Sequence, residues 1–233
     1  GKLKLGSSLW HMHPVEFLNA INSLQYPKTP INGELVALEF LNFKNNESID
    51  DSDFELAASN LECEVAAIKT VASTETGSSG SYFKFSGGDD FVPAILFERH
   101  HFHKYTGGKY DSQSDISNKN AGGYGKQSEQ YSKLLRAYRL DKRAALMAAS
   151  WGKFQILASN FKDAGYTSPE DFVKSISESE KNQLSAFVNF IKSDSVLLKS
   201  IRDKDWLRFA RRYNGSKQQG YDFRMRDNYE KNK

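Results

Sequence analysis

Residues 61–77 read Leu-Glu-Cys-Glu-Val-Ala-Ala-Ile-Lys-Thr-Val-Ala-Ser-Thr-Glu-Thr-Gly, and the fold turns on this stretch. Leu61, Val65, Ile68 and Ala72 recur at intervals of four, three and four, one apolar stripe that predicts a helix over 61–74. Glu75 follows Leu61 by 14 positions, which at about 100° per residue returns it to within roughly 40° of the stripe. A carboxylate is thus expected at the C-terminal end of a helix, turned toward the core. Partial burial and the negative end of the helix dipole both disfavour the anion, so both raise its pKa. A carboxyl that keeps its proton near neutral pH can protonate a leaving oxygen. The competing reading is a glutamate frayed into solvent at a helix end.

Downstream, 81–85 and 91–97 are β-prone runs around Ser86-Gly87-Gly88-Asp89-Asp90, a hairpin signal. Residues 106–125, rich in Gly, Ser and Asn, read as a long surface loop. Helices are predicted over 53–59, 127–138, 141–149, 169–176, 180–192 and 205–213. Ser168-Pro169-Glu170-Asp171 supplies a cap, a proline and two acids at a helix start. Upstream, 10–24 predicts a short amphipathic helix begun by Pro14, and 25–33, with Pro27, Pro30 and Gly33, looks like a linker. Residues 34–44 are apolar with mixed period, so helix and strand stay open. The polar break at 45–53 suggests an N-terminal appendage over 1–50 and a main domain over 51–233. One small hairpin among many helices is an α+β, mainly helical layout.

Composition agrees with a globular chain of this kind. Of 233 residues, 39% are hydrophobic and 26% charged, enough for one medium domain. Eleven Tyr, 16 Phe and 3 Trp can fill a core and leave rings over to stack on sugar or base faces. The net charge is +3, but the basic residues are dispersed, so no nucleic acid partner is expected. Cys63 is the sole cysteine, which precludes an internal disulfide, and its apolar surroundings mark it as core rather than nucleophile. No signal peptide or membrane span is visible.

Glu98 ends the apolar run 93–97. It is read either as an ion pair with Arg99 or a histidine, or as a second carboxylate that activates water on the opposite sugar face. The string Glu98-Arg99-His100-His101-Phe102-His103 raises zinc ligation, as does the pair His11 and His13. The familiar zinc helix places its histidines four apart with a glutamate beside the first; this spacing differs, and no metal is expected. Ala148-Ala149-Ser150-Trp151-Gly152-Lys153-Phe154-Gln155-Ile156 reads as a helix end entering a glycine turn, where the Gln155 amide needs backbone or ligand partners. Arg212-Tyr213-Asn214-Gly215 reads as ordinary C-capping.

Taken in order, Glu75-Thr76-Gly77, the hairpin, Ser150-Trp151-Gly152-Lys153-Phe154-Gln155-Ile156 and Tyr213-Asn214-Gly215 resemble the signature of lysozyme-like muramidases and transglycosylases. More closely, Ile95-Leu96-Phe97-Glu98-Arg99-His100, Gly122-Gly123-Tyr124 and Ala148-Ala149-Ser150-Trp151-Gly152 resemble the N-acetylmuramidase family of phage endolysins and type VI secretion effectors. The match spans roughly 61–229, with Thr76 where the commonest form has Ser.

The resemblance implies a lysozyme-like fold with a small hairpin after the catalytic helix. It also implies hydrolysis of the β-1,4 bond between N-acetylmuramic acid and N-acetylglucosamine, with Glu75 as general acid. The spacing of Glu75 and Glu98 is also similar to the two-carboxylate layout of plant-type chitinases. If Glu98 positions water, the enzyme inverts, with its carboxyls roughly 6.5–9.5 Å apart. Tyr124, Trp151, Gln155, Tyr213 and Asn214 are the candidates for contact with glycan, Trp151 and Tyr213 being alternatively core aromatics. The expected partner is peptidoglycan, whose anionic character suits the net charge; the expected state is a monomer without cofactor. Alternatives are a lytic transglycosylase and a non-catalytic wall-binding or metal-binding module. Trp10-His11-Met12-His13-Pro14 resembles the lead-in of type VI cell-wall effectors. That implies a toxin delivered to the periplasm and opposed by a periplasmic immunity protein, a phage endolysin being the alternative.

Overall fold

The computed structural model describes residues 25–77, 80–84, 90–216 and 220–233. The helix expected over 10–24, the pair His11 and His13 and the turn residues 86–89 lie outside them.

Helix α1 (Asp51–Leu61) opens on a capping box in which Asp50 accepts from the Asp53 N–H while Asp53 accepts from that of Asp50. It closes on Glu62 in the left-handed region. Helix α2 (Val65–Thr76) follows and stops at Gly77. The two helices expected over 53–59 and 61–74 are both present, with the boundary between them moved: Leu61 belongs to the first, and the second starts at Val65. The stripe misleads because a residue four before Val65 can fall on a neighbouring helix. Within α2 the reckoning still works: Glu75 is seven residues after the fully buried Ile68, within about 20° of its direction.

Strands β1 (Lys28–Ile31) and β2 (Glu34–Ala37) form an antiparallel hairpin where a linker was expected. Its turn is Asn32-Gly33, both with positive φ, the pattern of the tight hairpin turn. Leu38, Phe40 and Leu41, just beyond, are buried in the same core as the later helices. Strands β3 (Tyr82–Lys84) and β4 (Phe91–Pro93) form the expected hairpin, with Phe83 opposite Val92.

The run 91–97 is not one strand. Its second half is β5 (Ile95–Phe97), paired antiparallel with β6 (Ala149–Trp151), which pairs with β7 (Ile156–Leu157). Ala94 joins the two sheets: its N–H donates to the Ser81 carbonyl (2.9 Å) and its own carbonyl accepts from Gly152 (2.8 Å). Residues 148–151, read as a helix end, are thus largely a strand.

The rest is helical. Helix α3 (Arg99–Thr106), which the sequence reading did not separate, follows β5 directly; α4 (Gln130–Leu140) and α5 (Lys142–Met147) lead into β6. Helices α6 (Pro169–Glu178) and α7 (Glu180–Ser193) agree with expectation, α6 with Ser168 capping the Asp171 N–H at 3.0 Å. Helices α8 (Ser195–Asp203), α9 (Trp206–Tyr213) and α10 (Tyr221–Asn232) close the chain, and α10 packs on α2. Trp151, Phe97, Phe102, Phe154, Phe187 and Phe209 are fully buried among them. Burial pushes the Cys63 thiol up to about 11, so it is not a thiolate at neutral pH.

Candidate active site

The last turn of α2 delivers Glu75 to the floor of a groove, and α10 covers it from the far end of the chain. The Tyr221 hydroxyl donates to Glu75 Oε1, and the Asn214 side chain, at the end of α9, also bonds the carboxyl. Desolvation is the dominant influence on this acid and outweighs the tyrosine, the nearby Arg224 guanidinium and the asparagine, which all favour the anion. The balance lifts the carboxyl from its ordinary 4.5 to about 7. A group poised there holds a proton at neutral pH and can release it to a basic oxygen. Tyr221 went unnoticed in the sequence; the readable signal was Tyr221, Met225 and Tyr229, all buried at a spacing of four.

Glu98 occupies the N-cap position of α3 without capping it. Its carboxyl accepts from Ser150 Oγ at 3.4 Å and stands 3.8 Å from His100 Nε2. Burial raises its pKa above the ordinary carboxylate value. The His100 contact is an ion pair only when the imidazole is protonated, and burial lowers the His100 pKa, so the pair is weak. Arg99 points elsewhere: its guanidinium donates to the Ser114 and Asn120 carbonyls (both 3.1 Å) and staples the long loop. A Cβ on Gly123 would lie 2.7 Å from that guanidinium, and φ is +68° there, so glycine is required. Lys133 Nζ donates to the Gly123 and Tyr124 carbonyls (2.7 and 2.8 Å), which fixes Tyr124 at the rim.

The groove has a volume of about 890 Å³ and is lined by Glu75, Leu96, Glu98, His100, His101, Tyr124, Ser150, Gln155, Phe190, Tyr213 and Asn214, among others. Glu75, Leu96 and Gln155 also line a smaller hollow of about 320 Å³ that runs along Ala94, Ile95 and Gln130. Glu75 therefore lines both chambers.

Six of the seven residues singled out from the sequence meet here, and Trp151 does not. It is 1% exposed, donates from Nε1 to the Leu146 carbonyl (3.2 Å) and packs edge-on to Phe40. Its neighbour Ser150 faces the groove instead, because adjacent strand residues point to opposite faces. Gln155 adopts the left-handed region (φ +47°), a conformation costing on the order of 1–3 kcal/mol in a non-glycine residue. Its amide donates to the Gly152 and Ala94 carbonyls (2.9 and 3.3 Å), as the expected demand for backbone partners requires. Tyr213 donates to the Phe154 carbonyl at 2.5 Å and stacks on Phe209.

Compared with known proteins, the sequence matches the profile of the N-acetylmuramidase family over residues 64–233. Among solved structures, the Burkholderia AP3 phage endolysin is similar, with a TM-score of 0.69 and 32% identity over 81% of this chain and 72% of that one. No curated protein sequence matches the chain.

Proposed function

The chain belongs to the N-acetylmuramidase family, and on that premise we propose that it hydrolyses the β-1,4 bond between N-acetylmuramic acid and N-acetylglucosamine with Glu75 as general acid. Its class, a peptidoglycan hydrolase of mainly helical lysozyme-like fold, follows from the family and from the likeness to the endolysin. The choice of bond is supported by the family, and the choice of acid by one observation: a carboxyl held near pKa 7 by burial, lining two chambers. Glycan threads both chambers, and Glu75 protonates the bridging oxygen as the bond breaks. The displaced sugar carbon is then met by water on its other face. Glu98 is the candidate base for that water, since it lines the same groove and is not tied up in a close ion pair.

The Glu98 role and the choice of hydrolysis over transglycosylation are decided by products. Mass spectrometry of digested sacculi should show reducing ends, whereas a lytic transglycosylase leaves 1,6-anhydro ends lighter by one water. Glu98→Gln should slow release on the order of 10²-fold or more; full activity would leave Glu98 a structural carboxyl. Clearing of a sacculus suspension that continues in EDTA separates this enzyme from a wall-binding or metal-dependent module.

Tyr124 is the ring best placed to stack on sugar, being 37% exposed with its backbone already held. In the Glu75→Gln background, Tyr124→Ala should weaken chitooligosaccharide binding roughly 2- to 10-fold, the worth of one stacking contact. Its melting temperature should not move.

For delivery, the likeness to an endolysin supports release during phage lysis over the type VI route. The 10–14 segment that suggested an effector lies outside the described residues. No helix among the described residues is long and apolar enough to cross a membrane.

A further inference from the structure

We propose that Glu98, His100 and His101 form a binding site for a zinc-like divalent cation, and that the bound ion blocks the glycan groove. The three residues each offer one ligand atom, and these atoms lie within 4.8 Å of one another. All three line the groove that Glu75 also lines. The sequence spacing does not match a zinc helix, yet α3 begins at Arg99, so Glu98 stands just outside the helix and both imidazoles project from its first turn. His103, the third histidine of the string, turns away and bonds Asp111 through Nδ1 at 2.9 Å.

Two imidazoles and a carboxylate are a donor set that zinc takes with a fourth position left open. Imidazole nitrogen selects zinc and its late first-row neighbours over magnesium and calcium, which prefer all-oxygen sites. The carboxylate's own contacts are long, 3.4 Å from Ser150 Oγ and 3.8 Å from His100 Nε2. Nδ1 of His100 and of His101 is buried without a hydrogen-bond partner, and the rings lie 4.2 Å apart. With Nδ1 unanchored, small ring rotations can draw the nitrogens toward a common centre near the carboxylate.

The same looseness bounds the affinity. Metal-binding histidines usually donate their other N–H to a partner, and lacking it costs 10- to 100-fold. The positive end of α3 and the neighbouring Arg99 and Lys104 also oppose a cation. The site should therefore exchange its ion readily and serve as a brake rather than a structural centre. The blocking half rests on the proposed groove, because the ion would occupy the Glu98 carboxylate and fill the space that glycan needs.

Calorimetry of the chelator-treated full chain with zinc chloride tests the site directly. One ion per chain is expected, with Kd in the micromolar range. His100→Gln or His101→Gln should weaken it at least tenfold, while His103→Ala and the double variant His11→Ala/His13→Ala should not. Cobalt(II) in place of zinc should show the intense visible absorption of four-coordinate geometry. Absence of binding, or binding lost only with His11 and His13, overturns the site. Zinc should also slow sacculus clearing more than tenfold, with EDTA restoring it; binding that leaves clearing unchanged overturns the blocking. A protein that binds zinc but never clears sacculi would instead refute the muramidase reading.

Discussion

Glu75→Gln is expected to lower the initial rate of peptidoglycan clearance by a factor on the order of 10²–10⁴ or more, the usual contribution of a general acid. The amide keeps the volume and still accepts from Tyr221, so the groove and its affinity for glycan should persist. This pairing of lost rate with retained binding separates proton chemistry from collapse of the site. Parent-like clearance by the purified variant would remove Glu75 from the mechanism. Glu75→Asp is the informative companion, because it keeps a carboxyl but withdraws it from Tyr221 and from the scissile oxygen. It too should lose most of the rate.

The second large effect is on stability, and its sign changes the usual expectation for a buried polar residue. Glu75 is lifted from an ordinary 4.5 in the unfolded chain to about 7 in the folded one. The protonated carboxyl's contribution is fully present below about pH 4.5 and is lost as pH rises to about 7, because the unfolded chain ionises first. The shift corresponds to at most about 3 kcal/mol of lost stability at pH 8 relative to pH 4. Gln does not titrate, so the stability of Glu75→Gln relative to the parent should rise by up to that amount between the two pH values. Melting curves should register it as roughly 6–12 °C for a chain of this size. A gap that stays constant with pH would mean the carboxyl is not held protonated. The same ionisation should set the alkaline limb of kcat/KM near pH 7, about tenfold loss per unit beyond it. The acid limb, if Glu98 is the base, should lie above the ordinary carboxylate range, since burial raises that group too.

The strain at Gln155 and the desolvated Glu75 belong together. Both cost stability, both face the groove, and both are maintained by the fully buried packing around Phe97, Phe154 and Trp151. A site built this way trades stability for a carboxyl of the acidity that the proposed reaction needs.

The sequence by itself determined the helices that are long, amphipathic and capped, because periodicity and capping are local physics. Helix α2 was legible from its stripe, α6 from Ser168 and Pro169, and the acid at the end of α2 from counting residues. Family motifs carried the rest of the class assignment. Short strands were not legible, since three residues have no measurable period; β5 finds β6 across more than fifty residues, which no window spans. For the same reason Trp151 read as a glycan contact and lies in the core, while Ser150 beside it faces the groove. Tertiary structure alone decided what surrounds each charge. It brought Tyr221, 146 residues away, onto Glu75, and it sent His103 to Asp111 while leaving His100 and His101 beside Glu98. Desolvation depends on how many distant segments close over a group, so the acidity on which the proposed chemistry depends is a property of the assembled fold.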